Sequence, residues 1–244
     1  MKQIAKERFK NAADFKFFFV GNINMDEFKP LVEKYIGGIP SVPEKENWVD
    51  LGIDKPNGVV EKVVKRGEED KSIQYIVFHG DFDYNSQNQV QLDAVSKILT
   101  TRLLEVIRED KSSVYSIGAY QSSEKFPDAE YTITVAYGTS PQKLDELKKA
   151  VFEIISEYKK NGPTAEELAK AQEKMIRERE TAVRENSFWL GVLSNTYYLK
   201  GGNFSEFGTF DKLVKNLTVN STKKAFNDWF DFKNYVSVAL APEK

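Results

Sequence analysis

The spacing of apolar residues changes along the chain, and each change marks a predicted element. Residues 15–23 (FKFFFVGNI) form a short aromatic and β-branched run ending in a Gly-Asn turn signal, which predicts a buried strand. A helix capped by Asn24 or Asp26 is predicted next, because Phe28, Leu31, Val32, Tyr35 and Ile36 share one face. Pro30 fits its first turn and Gly37-Gly38 ends it. Residues 41–58, rich in Pro, Gly, Asn and charge, read as a surface connection. Residues 59–65 and 72–79 predict two strands of an antiparallel hairpin, joined by the polar turn Arg66-Gly67-Glu68-Glu69-Asp70. Ser86 with Gln89 suggests a capping box, and Leu92, Val95, Leu99, Leu103 and Val106 carry one stripe to about Glu109.

The second half reads similarly. Strands are predicted over 114–122 and 130–138, separated by a loop containing Pro127. In the latter, Tyr131, Ile133, Val135 and Tyr137 alternate with Thr132, Thr134, Ala136 and Gly138, so one face is bulky and packed while the other is small and open. Ser140-Pro141 starts a helix whose stripe is Leu144, Leu147, Val151, Ile154, Ile155 and Tyr158, stopped at Asn161-Gly162. Pro163, Thr164 and Glu167 launch a charged helix to about Glu185, followed by an aromatic helical stretch around Phe188, Trp189, Leu193 and Tyr197. After Gly201-Gly202 come a loop, a short helix over 221–230 and a strand over 235–241. This order predicts an α+β fold, an antiparallel or mixed sheet with helices on one face, over a single domain 1–244.

Composition narrows the function. At 244 residues and 41% hydrophobic content the chain can build a real core. A net charge of -2 gives no field to attract phosphate, so neither nucleic acid nor an anionic membrane is expected as a partner, and the basic cluster from Lys62 to Arg66 reads as a solvated strand edge. No run reaches the roughly 18 apolar residues of a membrane span, so no membrane insertion is expected. The first eight residues read as a helix rather than a signal peptide, and a hydrophobic run follows almost at once, which suggests a chain cut from a longer protein. With no cysteine there are no disulfides, thiol nucleophiles or thiolate metal sites.

The single histidine, His79, limits the chemistry further. Hydrolytic zinc sites use two histidines at helical spacing, as in H-E-x-x-H or H-x-x-E-H, and a Ser-His-Asp triad also needs an imidazole. At the end of an apolar strand, His79 reads as a packed or turn-capping residue. Asp81, Asp83 and Asn85 imitate the start of a calcium loop, but Ser86 replaces its glycine and Leu92 its closing glutamate; a turn with helix-capping carboxylates is expected instead. The Glu/Arg alternation over 166–185 reads as a solvated helix face laced with ion pairs. No catalytic residue, metal ligand or cofactor site is expected in this chain.

The stretch from Arg102 through Arg108, Glu109 and Tyr115 to Gly118-Ala119 resembles the R-L-x-x-x-(L/I)-R-E-x-x-G-x-x-Y-x-(V/I)-G-A signature of the non-catalytic half of pitrilysin/insulysin-type zinc peptidases, whose zinc motif is H-x-x-E-H. The resemblance extends to Asn11-Ala-Ala-Asp-Phe15, Val20-Gly-Asn-Ile23, Lys34-Tyr-Ile-Gly-Gly-Ile-Pro40, Lys71-Ser72 and Asn186-Ser-Phe-Trp-Leu190, nearly the whole chain, and is nearest the last of four domains in large bacterial members. It departs from the signature at Ser112 or Ser113, where a glycine is usual, and at Leu99-Thr-Thr101, where small residues are usual.

The resemblance implies a layer like those of LuxS and the processing peptidases, with residues 1–13 ending a linking helix. It also implies a clamshell in which an N-terminal catalytic half of the same polypeptide carries zinc and this domain walls the peptide chamber. Carried over, Arg108 binds a substrate carbonyl or locks the two halves, and Tyr115 donates its hydroxyl near the scissile carbonyl. A periplasmic location is usual for bacterial relatives. From spacing alone, Arg108 pairs with Glu105 or Glu109 and Tyr115 packs under a helix. The competing functional readings are a structural or interaction domain of a relative without peptidase activity, and an independent small-molecule enzyme, which would need a deep polar pocket.

Overall fold

The computed structural model describes residues 1–43, 47–108 and 114–243, and of Arg108 and Tyr115 the backbone alone. The chain forms two compact units. One comprises Met1–Ile53 and Glu180–Phe204, the other Asp54–Arg179 and Ser205–Lys244.

The second unit holds the sheet, with strands β1 (Val59–Lys65), β2 (Ser72–Asp81), β3 (Val114–Glu124), β4 (Glu130–Thr139) and β5 (Tyr235–Ala241) in the order β1-β5-β2-β4-β3. β1 runs parallel to β5 and the other pairs are antiparallel, so the sheet is mixed and the fold is α+β. The expected hairpin of the first two strands does not form, because β5 lies between them. Their turn spans the end of β5 instead: Arg66 N–H donates to the Ala241 carbonyl at 2.8 Å, and Glu243 N–H to the Gly67 carbonyl at 2.9 Å. Local turn chemistry specifies a reversal of direction but not which distant strand enters the gap. As an edge strand β1 is exposed along its length, and Lys62 and Lys65 discourage further pairing.

Helices α3 (Ser86–Leu103), α4 (Leu144–Asn161) and α8 (Val219–Trp229) contribute to a core shared with the packed sheet face. α1 and α2 are Lys2–Arg8 and Met25–Tyr35; α5 to α7 are Ala165–Ala182, Asn186–Lys200 and Phe210–Lys215. Leu92, Val95, Leu99 and Leu103 of α3 are fully buried, as are Leu147, Val151 and Ile155 of α4, matching the stripes in the sequence. β4 alternates as expected, with Tyr131, Ile133, Val135 and Tyr137 inward. Two buried amides are paired across elements: the Gln74 amide donates to the Ser237 hydroxyl and the Val238 carbonyl, both at 3.0 Å, and Gln91 donates to the Thr222 hydroxyl at 3.1 Å. Gly162 closes α4 at φ 75°, where a Cβ would meet that of Lys223 at 3.0 Å.

In the first unit, no strand forms over the predicted residues 15–23, which join no sheet among the described residues and bend at 21–22. An apolar run supplies only the side-chain part of a strand, which also needs a ladder partner. α2 begins at the first of its two predicted caps, with Asn24 Oδ1 accepting from Asp26 N–H at 3.1 Å, but its apolar stripe contains no buried residue. In the second unit, the sequence reading missed α7, which is only six residues long.

Candidate functional site

The segment joining α3 to β3 carries both residues singled out by resemblance. α3 is capped by Asn85, whose Oδ1 accepts from Asn88 N–H at 2.8 Å, one residue before the predicted cap. Asp83 supports this turn by accepting from the Asn85 amide at 2.7 Å, so the side chain that caps the helix is the Asn85 amide rather than one of the carboxylates expected.

The other end of α3 widens into a π-helical turn, Leu104–Arg108. The buried stripe advances from Leu99 to Leu103 to Ile107 at intervals of four, and Val106, expected on that face, is only half-buried. Arg108 is the last residue of this turn. On the far side of 109–113, β3 opens with an irregular register: Val114 pairs with Thr139 and Ser116 with Gly138, placing Tyr115 at a β-bulge. Ser112 and Ser113, where the sequence departs from the signature, lie outside the described residues, as does Glu109. Glu105 stands 4.0 Å from Arg102, which also faces Glu157 at 3.7 Å.

β3 is the other sheet edge, and Thr100 ties it to α3. The Thr100 hydroxyl accepts from Ala119 N–H at 2.8 Å and donates to the Ala119 carbonyl at 3.1 Å, satisfying both main-chain groups of an edge residue. The side chain that departs from the family pattern is thus a fastener, a role that only the fold makes visible. Beside it, Tyr120 lies over Gly118, where an added Cβ would meet the tyrosine hydroxyl at 3.1 Å. This surface is open, with Tyr120 64% exposed.

The remaining candidates are structural. His79 is buried on β2, its Nε2 has no hydrogen-bond partner among the described residues, and burial holds its pKa below the ordinary value of 6.5. Lys55 and Glu130 flank it as an ion pair with opposing effects on its charge, and a hydrogen bond with the Pro56 backbone favours the charged form. Among the described residues no group of three or more His, Asp or Glu is placed to hold a metal. A lone imidazole with no thiolate does not supply the donor set of a hydrolytic zinc centre. The Glu/Arg face of α5 forms i,i+4 pairs, Lys170 with Glu166 at 2.7 Å and Arg177 with Glu173 at 2.5 Å. No helix of the described residues is long and apolar enough to cross a membrane.

Comparison with known proteins accounts for this arrangement. Residues 3–175 match the family model described as the Peptidase M16 inactive domain. The uncharacterized zinc protease YmxG of Bacillus subtilis is 28% identical over 159 residues, covering 64% of this chain and 36% of that protein. Among solved structures, a protease from Helicobacter pylori superposes with a TM-score of 0.76 at 19% identity, over 91% of this chain and 54% of that one. The periplasmic protease PqqL from Escherichia coli superposes with a TM-score of 0.73 at 19% identity, over 91% of this chain and 25% of that one. These two likenesses establish the fold. The chain spans 36%, 21% and 20% of the length of three curated zinc protease relatives that it matches. The resemblance seen in the sequence therefore holds: the chain belongs to the Peptidase M16 inactive domain family, in the pitrilysin/insulysin class of zinc peptidases.

Proposed function

We propose that this chain binds substrate and forms part of the peptide chamber in a zinc metalloendopeptidase, working with an N-terminal catalytic half of the same polypeptide. The observation that carries this reading is the backbone around the signature. Arg108 closes a π-helical turn and Tyr115 occupies a β-bulge, two irregularities concentrated at functional sites, on either side of a five-residue connection. A helix C-terminus also favours the arginine's positive charge.

In this proposal Arg108 binds a substrate carbonyl or locks the halves together, and Tyr115 donates its hydroxyl toward the oxyanion that develops at the scissile carbonyl. The catalytic half would hold the zinc, whose chemistry when bound would be to activate the attacking water. Residues 1–244 act as one non-catalytic portion, 1–13 ending a linking helix, and the periplasm named for PqqL is the proposed compartment. The test is Tyr115→Phe in the complete peptidase. Loss of one oxyanion donor predicts a fall in kcat of about 100- to 1000-fold with an unchanged melting temperature. Unaltered peptide hydrolysis would remove the mechanism, and hydrolysis absent from the wild-type polypeptide as well would leave a scaffold.

A further inference from the structure

We infer that residues 54–58 form a strap that His79 latches over one end of the sheet, and that the strap is released when this imidazole takes up a second ring proton. Strand alternation carries the argument. On β2, Ile76 and Phe78 turn into the core and are fully buried, while Ile73 and Tyr75 turn to the opposite face and remain 43% and 48% exposed. By the same alternation His79 belongs with Ile73 and Tyr75, yet it is only 4% exposed. Its cover is the strap.

Pro56 has no backbone N–H, so in its hydrogen bond with the His79 ring the proline carbonyl accepts and the ring donates. Beside it, Lys55 pairs with Glu130 of β4. At the far end of the strap, Gly58 N–H donates to the Asn234 side-chain oxygen at 2.8 Å, and the Gly58 carbonyl accepts from Tyr235 N–H at 3.2 Å. The Asn234 amide donates in turn to the His79 carbonyl at 3.2 Å, which joins strap and histidine into one bonded group.

A neutral imidazole has one N–H and one lone pair. Nε2 has no hydrogen-bond partner among the described residues, so the N–H that reaches Pro56 is on Nδ1 and the lone pair is on the buried Nε2. A second proton turns Nε2 into a buried cationic donor with no acceptor facing it. The charged groups acting on the ring are Lys55 from the strap, which repels the added charge, and Glu130 from β4, which attracts it; the residue paired with His79 on β4 is the uncharged Thr132. Burial is the largest influence and favours the neutral ring while the strap is closed; lifting the strap returns the ring to water and its ordinary value of 6.5. The latch therefore holds fully above pH 6.5 and weakens as pH falls below it. Asp54 is also the first residue of the sheet unit, so release slackens the chain that enters it. None of this depends on the peptidase reading.

Nuclear magnetic resonance on the 244-residue chain tests it, because a single histidine gives one ring titration. Between pH 7.5 and 5.0, exchange protection at the Gly58 amide, corrected for the intrinsic rate, should fall by up to about 30-fold, the limit for one proton with an open-state value of 6.5. Ile76 and Val135, in the middle of β2 and β4, should keep their protection. His79→Asn retains a donor toward Pro56 but takes up no proton, and should abolish the fall. A change below twofold at Gly58 in the unaltered chain would overturn the inference, as would an undiminished fall in His79→Asn. Equal loss at Ile76 and Val135 would also overturn it, since the whole unit rather than the strap would then be opening. The ring titration decides independently of any variant: a midpoint below 6.5 is expected, and an imidazole that titrates at or above 6.5 while Gly58 stays protected contradicts the latch.

Discussion

Replacing Thr100 by valine should loosen the edge strand that carries Tyr115. The side chains have nearly the same shape, so the substitution removes one hydroxyl and with it the two bonds to Ala119, at 2.8 and 3.1 Å. At about 0.5–1.5 kcal/mol net for each bond the loss is about 1–3 kcal/mol, partly offset by the added methyl group. For a domain of this size, 1 kcal/mol lowers the melting temperature by about 2–4 °C, which predicts a fall of about 2–12 °C before that offset. Thermal unfolding of the 244-residue chain measures it, and hydrogen exchange at Ala119 locates it. Thr100→Ser keeps the hydroxyl and should recover most of the stability. Thr101→Val is the control: among the described residues that hydroxyl bonds only to the Lys97 carbonyl of its own helix, so a change within about 0.5 kcal/mol is expected. If Thr100→Val unfolds no more easily than Thr101→Val, the reasoning that Thr100 fastens β3 is refuted.

Other sites test other parts of the account. Leu99→Ala opens a cavity at a fully buried position and should cost about 2–5 kcal/mol in urea unfolding; a loss below 1 kcal/mol would mean that Leu99 is not in the core. His79 has its folded-state pKa lowered by burial, so the unfolded chain binds its proton more readily. The resulting contribution to stability is fully present above pH 6.5 and lost as pH falls below it, and His79→Asn should flatten the urea midpoint between pH 5 and 7. An unchanged slope would exclude His79 as its source. Thr164→Ala breaks a reciprocal capping box, in which Glu167 N–H donates to the Thr164 hydroxyl and Thr164 N–H to the Glu167 carboxylate. It should cost about 1 kcal/mol by chemical denaturation, and a neutral result would show that the cap is not needed.

Much of the second unit is legible in the sequence because its signals are local and agree with one another. The stripe Leu92, Val95, Leu99 and Leu103, the alternation from Tyr131 to Tyr137 and the Thr164–Glu167 cap each specify an element without reference to distant residues. What escaped depends on partners far away in the chain. No local feature of residues 59–79 shows that Tyr235–Ala241 separates β1 from β2, and the aromatic run 15–23 has strand composition but, among the described residues, no strand beside it. Family likeness, rather than spacing, directed attention to Arg108 and Tyr115, while the π turn and the bulge around them are backbone features that residue identities do not announce. Thr100 was read only as a departure from a pattern, because its pairing with Ala119 exists only once β3 lies against α3.

The most direct test of the central claim is a peptidase assay on the purified 244-residue chain with zinc supplied, alongside a measurement of bound metal. A protein with one imidazole and no thiolate should retain no stoichiometric zinc after dialysis and leave peptides intact. Peptide cleavage by this chain alone, abolished by a chelator and restored by zinc, would contradict the account.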